Sequence, residues 1–410
     1  MNRNELPEGW VDVRLGDFAK TEKGRKPKVL SSERTEAYPI PYVNIKAFEK
    51  NVIDEYTDGK GCVICEDDDF LMVWDGSRSG YVGKAISGAL GSTLVRIKFP
   101  NVDHDYAYFF LQSKFIEINT RAKGVGIPHV DPNLVWNYRF PLPPLPTQHA
   151  IVTKIEEIFS ELDHGVAQLK TARAQLKVYR QAVLKWAFEG RLTNENVMEG
   201  ELPEGWGMTT IISLIKNEKN ALKAGPFGSS LKKEFYVSKG YKIYGQEQVI
   251  SGNPFLGEYY INEAKYQELE TCKVKPNDIL ISLVGTVGKV LLLPENCKAG
   301  IINPRLIKVT LDTKTYLPSF FKYYFESSFV KSFYSAEAKG TTMDVLNLGI
   351  IKTIPFPICS TSEQKLIVDE IESRFSVIDK MEESITQSLQ QSEALRQSIL
   401  KRAFEGLLLD

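Results

Sequence analysis

The chain has 410 residues, with 51 lysines and arginines against 52 aspartates and glutamates, for a formal net charge of −1. That length calls for two or more domains, and 43% apolar residues are enough for ordinary cores. No run of eighteen apolar residues spans a membrane, residues 1–10 lack the basic-then-apolar build of a signal peptide, and an odd count of five cysteines makes no disulfide framework, so a cytoplasmic protein is expected.

The first half opens on Leu6-Pro7-Glu8-Gly9-Trp10 and then concentrates positive charge at Lys20, Lys23, Arg25, Lys26 and Lys28. Short β-like runs follow at 38–45, 70–74 and 94–99, with turns rich in glycine, proline and asparagine between them. Cys62 and Cys65 have the spacing of half a zinc site. A structural zinc needs four ligands and no second pair is present, which favours a strand core. The acidic run Glu66, Asp67, Asp68 and Asp69 shows that a near-neutral total conceals segregated charge. Residues 106–118 read as an aromatic-rich helix. After Ala122-Lys123-Gly124 and a proline-rich entry, a helix is predicted from Gln148 to Gly190. Ile151, Ile155, Ile158, Leu162, Val166, Leu169, Ala172, Leu176, Tyr179, Val183 and Trp186 step by three and four along it, a coiled-coil seam.

The second half repeats this order. Leu202-Pro203-Glu204-Gly205-Trp206 opens it, and Lys223, Lys232, Lys233, Lys239 and Lys242 form a second basic stretch. Strand-like runs at 278–283 and 290–293 flank Gly285-Thr286-Val287-Gly288-Lys289. That segment lacks the spacing of a phosphate-binding loop and is expected to be a structural hairpin matching Gly80, Gly83 and Lys84. Residues 317–334 read as one aromatic helix. Thr361 with Gln364 forms a capping-box pattern for a last helix, whose looser seam is Ile367, Ile371, Phe375, Ile378, Ile385, Leu389, Leu395 and Ile399. Ala187-Phe188-Glu189-Gly190 recurs as Ala403-Phe404-Glu405-Gly406, and Ala122-Lys123-Gly124 as Ala338-Lys339-Gly340. The offset between copies grows along the chain, so about 20 extra residues are expected mostly in the middle of the second copy.

The chain is therefore a duplication: a first globular domain over 1–147, a long helix over 148–192, a second globular domain over 193–362 and a long helix over 363–410. The expected fold class is α/β. Two mixed α/β domains, each with a twisted, partly antiparallel sheet, are joined by two long antiparallel coiled-coil helices in a pseudo-twofold internal repeat. The antiparallel sense follows from reach. The second domain must connect the end of one helix to the start of the other, and a compact domain spans roughly 40 Å whereas such a helix is roughly 60 Å long. Residues 1 and 410 are then expected side by side.

At this point the pattern resembles the specificity subunit of Type I restriction–modification systems. The resemblance covers nearly the whole chain. It rests on Leu-Pro-Glu-Gly-Trp opening each half, on Gly225-Pro226-Phe227-Gly228-Ser229-Ser230-Leu231, on Tyr244-Gly245-Gln246-Glu247-Gln248-Val249-Ile250, on the proline-rich entries before Gln148 and Gln364, and on Ala-Phe-Glu-Gly closing each helix. It implies two target recognition domains, each reading half of a split double-stranded DNA sequence. It also implies assembly with two methylating subunits and, for restriction, motor-nuclease subunits. The first half departs from the pattern, with Gly24-Arg25-Lys26-Pro27 where Gly-Pro-Phe-Gly is expected.

Within such domains Lys23, Arg25, Lys26 and Lys28 are suited to phosphates, which position a protein without reading sequence. Arg78, in the loop with Ser77, Ser79 and Tyr81, has the donors to hold guanine bidentately. Lys123 and His129 belong to a matched loop, as do Lys339, Thr341 and Thr342. Ser229, Ser230, Lys232, Lys233, Gln246 and Gln248 are the candidates of the second domain, glutamine being suited to adenine. No Asp/Asn-Pro-Pro-Tyr/Phe segment, methyl-donor loop, complete ATP loop or histidine cluster stands out. Catalysis, with S-adenosylmethionine, ATP and magnesium, is accordingly expected in partner subunits, and no cofactor or metal in this chain. The competing readings are a coiled-coil scaffold without DNA readout and, disfavoured by the missing motifs, a standalone methyltransferase or nuclease.

Overall fold

A computed structural model of the chain describes residues 6–67, 69–124, 126–194, 196–198, 200–284, 286–337 and 346–409. It divides into two units, Met1–Lys170 with Thr386–Asp410, and Thr171–Ile385. The long helices are therefore not separate bodies. Leu145–Phe188 and Thr361–Phe404, each of 44 residues, contribute one end to each unit.

In the first unit an antiparallel sheet runs in the order Lys20–Lys23, Leu94–Lys98, Phe70–Val73, Val82–Lys84. A second sheet orders Tyr56–Thr57, Ile40–Val43, Gly88–Leu90 and Ile64–Cys65, and its central pair is parallel. Val11–Arg14 pairs with Arg139–Leu142, tying the start of the domain to the entry of the long helix. The second unit repeats the plan. Leu222–Ala224, Leu306–Val309, Ile279–Ser282 and Val290–Leu292 make one sheet. Tyr260–Ile261, Tyr241–Tyr244 and Gly300–Ile302 make another, again with a parallel pair, and Gly207–Thr210 pairs with Pro355–Ile358. Fully buried runs such as Phe70–Val73 and residues 279–281 are covered on both faces, which is why they read as continuous apolar stretches rather than alternating ones.

Each core is closed by the far end of a helix that belongs, in sequence, to the other copy. Ile399, Leu400, Ala403 and Phe404 are buried beside Ile151, Ile155 and Phe159 in the first unit, where Phe404 meets Tyr106 and Phe110 edge-on. Val183, Leu184, Ala187 and Phe188 are buried beside Ile367, Val368 and Ile371 in the second, where Phe188 meets Phe320 and Tyr324. Within each unit the start of one long helix lies beside the end of the other, so the pair is antiparallel. Outside the two cores most of the seam is only half-buried, Ile378 at 1% exposed being an exception. Leu162, Val166, Leu169 and Leu176 are half-buried, because two helices alone shield one stripe, and Leu395 of the predicted seam is 50% exposed.

Several expectations need correction. The 317–334 helix is two, Pro318–Phe325 and Ser328–Glu337, broken at Glu326 and Ser327. The second long helix is capped by Ser360, whose Oγ accepts from the Glu363 N–H at 3.2 Å. Gln364 instead accepts from the Leu317 N–H (2.8 Å) and donates to the Thr315 (2.9 Å) and Cys359 (3.0 Å) carbonyls. Gln148 makes the matching clamp, accepting from the Asp103 N–H (2.8 Å) and donating to the Pro143 carbonyl (2.7 Å). Strand register places Val82 against Met72 and Val290 against Ile281, so Gly80 corresponds to Gly288 and Gly83 to Leu291, not to Gly288. Gly285 lies outside the described residues. The extra residues of the second copy are spread out: some precede Leu222–Ala224, and others form Glu263–Glu268 and Glu270–Cys272. Residues 1 and 410 lie outside the described residues, but their neighbours Pro7 and Gly406 are packed together.

Candidate nucleic-acid interface

In the first unit three segments meet at one end of the Lys20–Lys23 sheet. The hairpin after Phe70–Val73 turns on Gly76 (φ 125°) and Gly80 (φ 90°), conformations that glycine adopts without strain. A Cβ on Gly80 would fall 2.4 Å from Ile118 Cγ2, so the turn is pressed onto the His104–Thr120 helix. Asn119 Nδ2 donates to the Ser77 and Ser79 carbonyls, both at 3.0 Å. This clamp projects Arg78, whose guanidinium lies 4.0 Å from the Tyr81 ring and 3.2 Å from Glu49. Arg78 is thus preorganised, and its side chain remains 46% exposed.

Asp75 gathers the rest. Its carboxylate receives Lys23 Nζ at 2.9 Å and contacts His129 Nδ1 at 2.7 Å. Burial alone would raise the Asp75 pKa, but the Lys23 and His129 bonds outweigh it and hold the carboxyl below its usual value. Lys123 pairs through its backbone with His129 and through Nζ with Asp131 at 2.6 Å. The 24–28 loop continues directly from Lys23. Gly24 donates its N–H to the Leu94 carbonyl at 3.0 Å, and a Cβ there would lie 2.2 Å from the Gly91 carbonyl oxygen. Beyond that tight contact Arg25, Lys26 and Lys28 are exposed. The geometry removes Ser79 from the accessible candidates: it is fully buried, although its Oγ has no hydrogen-bond partner.

The second unit builds the corresponding place with different side chains. Gly225 donates to the Leu306 carbonyl at 2.9 Å, and a Cβ there would lie 1.8 Å from the Asn303 carbonyl oxygen, so Gly225 is the counterpart of Gly24. Ser229 and Ser230 lie in the short turn Gly228–Ser230, with Ser229 exposed. Lys232 and Lys233 follow, both exposed. Lys233, Gln246, Glu247, Tyr259 and Arg305 line a cleft of 640 Å³. Gln246 donates to Ser282 Oγ (3.0 Å) and to the Val284 carbonyl, and accepts from Arg305 at 3.3 Å.

Gln248 is corrected to a framework residue. It is 1% exposed, accepts from the Gly245 N–H at 2.7 Å and donates to Glu247 (2.9 Å) and to the Leu256 carbonyl (2.6 Å), leaving no free edge for a base. Lys242 is likewise not part of a basic surface. It is 1% exposed, and its Nζ donates to the carbonyls of Leu256 and Gly257 at 2.9 and 2.8 Å, with burial lowering its pKa. Lys339, Thr341 and Thr342 lie outside the described residues. Sequence reasoning missed Asp75, Glu49, Tyr259 and Arg305. Asp75 adjoins the noted hairpin, but nothing local in sequence links it to Lys23 and His129. Cys65 lies buried in a strand, where burial pushes its thiol up to about 11, and no metal-ligand cluster occurs among the described residues.

A model of the Type I restriction modification DNA specificity domain matches the chain twice, over 7–172 and 216–391. The MjaVIII specificity subunit of a Type I restriction enzyme from Methanocaldococcus jannaschii is 26% identical over 99% of this chain and 94% of its own. The EcoBI specificity subunit of Escherichia coli is 25% identical over 98% and 87%. Among solved structures, a chain from work on complex assembly and conformational transition of the type I R-M system matches with a TM-score of 0.73 and 18% identity, over 98% of this chain and 99% of its own. The HsdS subunit from Thermoanaerobacter tengcongensis matches with a TM-score of 0.53 and 18% identity over 99% of each chain. At that identity these two likenesses carry the fold. No described helix is long and apolar enough to cross a membrane.

Proposed function

The chain belongs to the Type I restriction–modification DNA specificity family, and from that premise we propose that it is the non-catalytic, DNA-reading subunit of such a system, with each unit reading one half of a bipartite duplex site. One observation carries the reading. At the same point of the repeat, each unit presses a glycine, Gly24 or Gly225, against the turn between two strands, at Gly91 or Asn303, and then presents an exposed loop with lysines and arginines near it in sequence. The framework is common and the presented side chains differ, as two readers of different half-sites require. The cations position the phosphate backbone, and Arg78 and the Gln246–Arg305 pair face base edges.

Two methylating subunits and, for restriction, motor-nuclease subunits complete the assembly in the cytoplasm. S-adenosylmethionine, ATP and magnesium act in those partners, and this chain needs no cofactor. Exposed apolar positions on the helical part of the second unit, Val178, Val377 and Met381, suit such docking. The test is a gel shift of duplex DNA with and without the methylating partner, followed by mapping of methylated sites genome-wide. Expected is one bipartite motif that depends on this chain. A complex that methylates without sequence preference, or a chain that never engages duplex DNA, overturns the reading.

A further inference from the structure

Phe227 is 88% exposed, and among the described residues no large apolar side chain is more so. Its exposure is built rather than incidental. On one side Gly225 is fixed against Asn303, and Pro226 is buried. On the other, the Ser230 N–H donates to the Phe227 carbonyl at 2.8 Å, closing a tight turn, and Leu231 is 5% exposed in the core of the domain. The loop is pinned at both ends and the phenyl ring is held out between the pins. Its surroundings are not those of an apolar protein contact: Lys232 and Lys233 follow within six residues, and Arg305 stands two residues beyond Asn303.

We propose that Phe227 is an apolar probe of the base stack, pressed between or against neighbouring bases of the half-site read by the second unit while the adjoining lysines hold phosphates. The inference rests on the reading of the chain as a DNA-specificity subunit. An apolar tip on a loop that also carries exposed cations is the chemistry by which proteins partially unstack a base step, and aromatic rings stack on bases of any identity. In the first unit the position two residues after the pressed glycine is Lys26, an exposed cation. One fold position thus carries a stacking group in one reader and a phosphate-binding group in the other.

The test uses the full chain with its methylating partners and duplexes carrying 2-aminopurine at successive non-methylated positions of the second half-site. Wild type is expected to raise fluorescence at one position. Phe227→Ala should lose that signal and bind roughly tenfold or more weakly, with an unchanged salt slope because no charge is removed, and Phe227→Trp should keep both. Because nothing packs on the ring, the Ala variant should melt like wild type. If wild type binds and Phe227→Ala binds equally well, this inference fails while the DNA-reading function stands; if wild type does not bind duplex, the function itself fails. Loss of binding to anionic phospholipid vesicles in Phe227→Ala, with duplex binding unchanged, would mean that the ring meets a membrane surface instead.

Discussion

Pro7 fills the space that a side chain on Gly406 would occupy: a Cβ there would fall 2.3 Å from Pro7 Cγ. The second unit repeats the contact, with Pro203 2.1 Å from a Cβ on Gly190. Both glycines have left-handed backbones, φ 73° and 74°, as expected just past a helix end. Gly406→Ala should therefore destabilise the first unit by more than the roughly 1–2 kcal/mol of the backbone conformation alone, because the methyl group also meets proline. Denaturant unfolding followed by hydrogen exchange would localise the loss; an effect below that backbone term would mean that the contact relaxes freely.

The same contact bears on connectivity. With residue 7 against residue 406, a short linker can join the ends, and the chain can be opened in the 193–201 segment. Such a circular permutant should fold and retain sequence-specific methylation in the reconstituted complex. An insoluble or unfolded permutant would argue that the 193–201 segment has a structural role of its own.

Gln148 and Gln364 are buried amides, 2% and 0% exposed, that tie each long helix to its domain. Gln364→Ala strands two carbonyls and an N–H, and should lower stability by roughly 2–3 kcal/mol. The slope of the denaturant transition should be unchanged and the first unit unaffected. A wild-type midpoint would show that water replaces the amide.

Base readout and phosphate contact should separate by salt. Arg78→Lys keeps the charge but loses the bidentate fork, so it should relax one position of the first half-site by roughly 1–3 kcal/mol and leave the second half-site intact. Lys26→Ala should weaken all sequences alike and reduce the salt slope by about one. Methylated-site maps and salt titrations distinguish them, and a relaxed second half-site in Arg78→Lys would contradict independent readers.

Asp75 supplies a pH signature. Its carboxyl is held below the usual value, so the anchoring of Lys23 and His129 is fully present above the ordinary carboxylate range, about pH 4. It is lost as pH falls through the lowered native value. Asp75→Asn should flatten that part of the stability profile of the first unit, and the two melting curves should converge at the acidic end. Parallel curves from pH 7 to 3 would exclude Asp75 as the titrating group.

The repeat, the long helices and the glycine-led loops are legible in the sequence because each is a local pattern. What is not legible follows from long-range placement. Gln248, Ser79 and Lys242 have the composition of polar surface, yet the fold buries all three, and it sets Gln248 and Lys242 beside backbone groups that need partners. Matching Gly83 to Gly288 failed because two glycines three residues apart give the same local match in either register, and only strand pairing decides between them. The Asp75 cluster joins residues 23, 75 and 129, which no spacing rule connects.

The burial of Ala403 and Phe404 in the first unit also orders the events of synthesis. The first domain leaves the ribosome first, but the residues that close its core are translated only after the whole of the second domain. Until then Tyr106 and Phe110 keep Phe140 as a neighbour but lack the Phe404 ring, and the apolar surface it covers stays open to solvent. The second unit faces no such delay, since Ala187 and Phe188 are made before the domain they complete. A chain that stops before Ile399 thus carries a first domain without the residues that finish its core, and exposes the kind of apolar surface on which chaperones act.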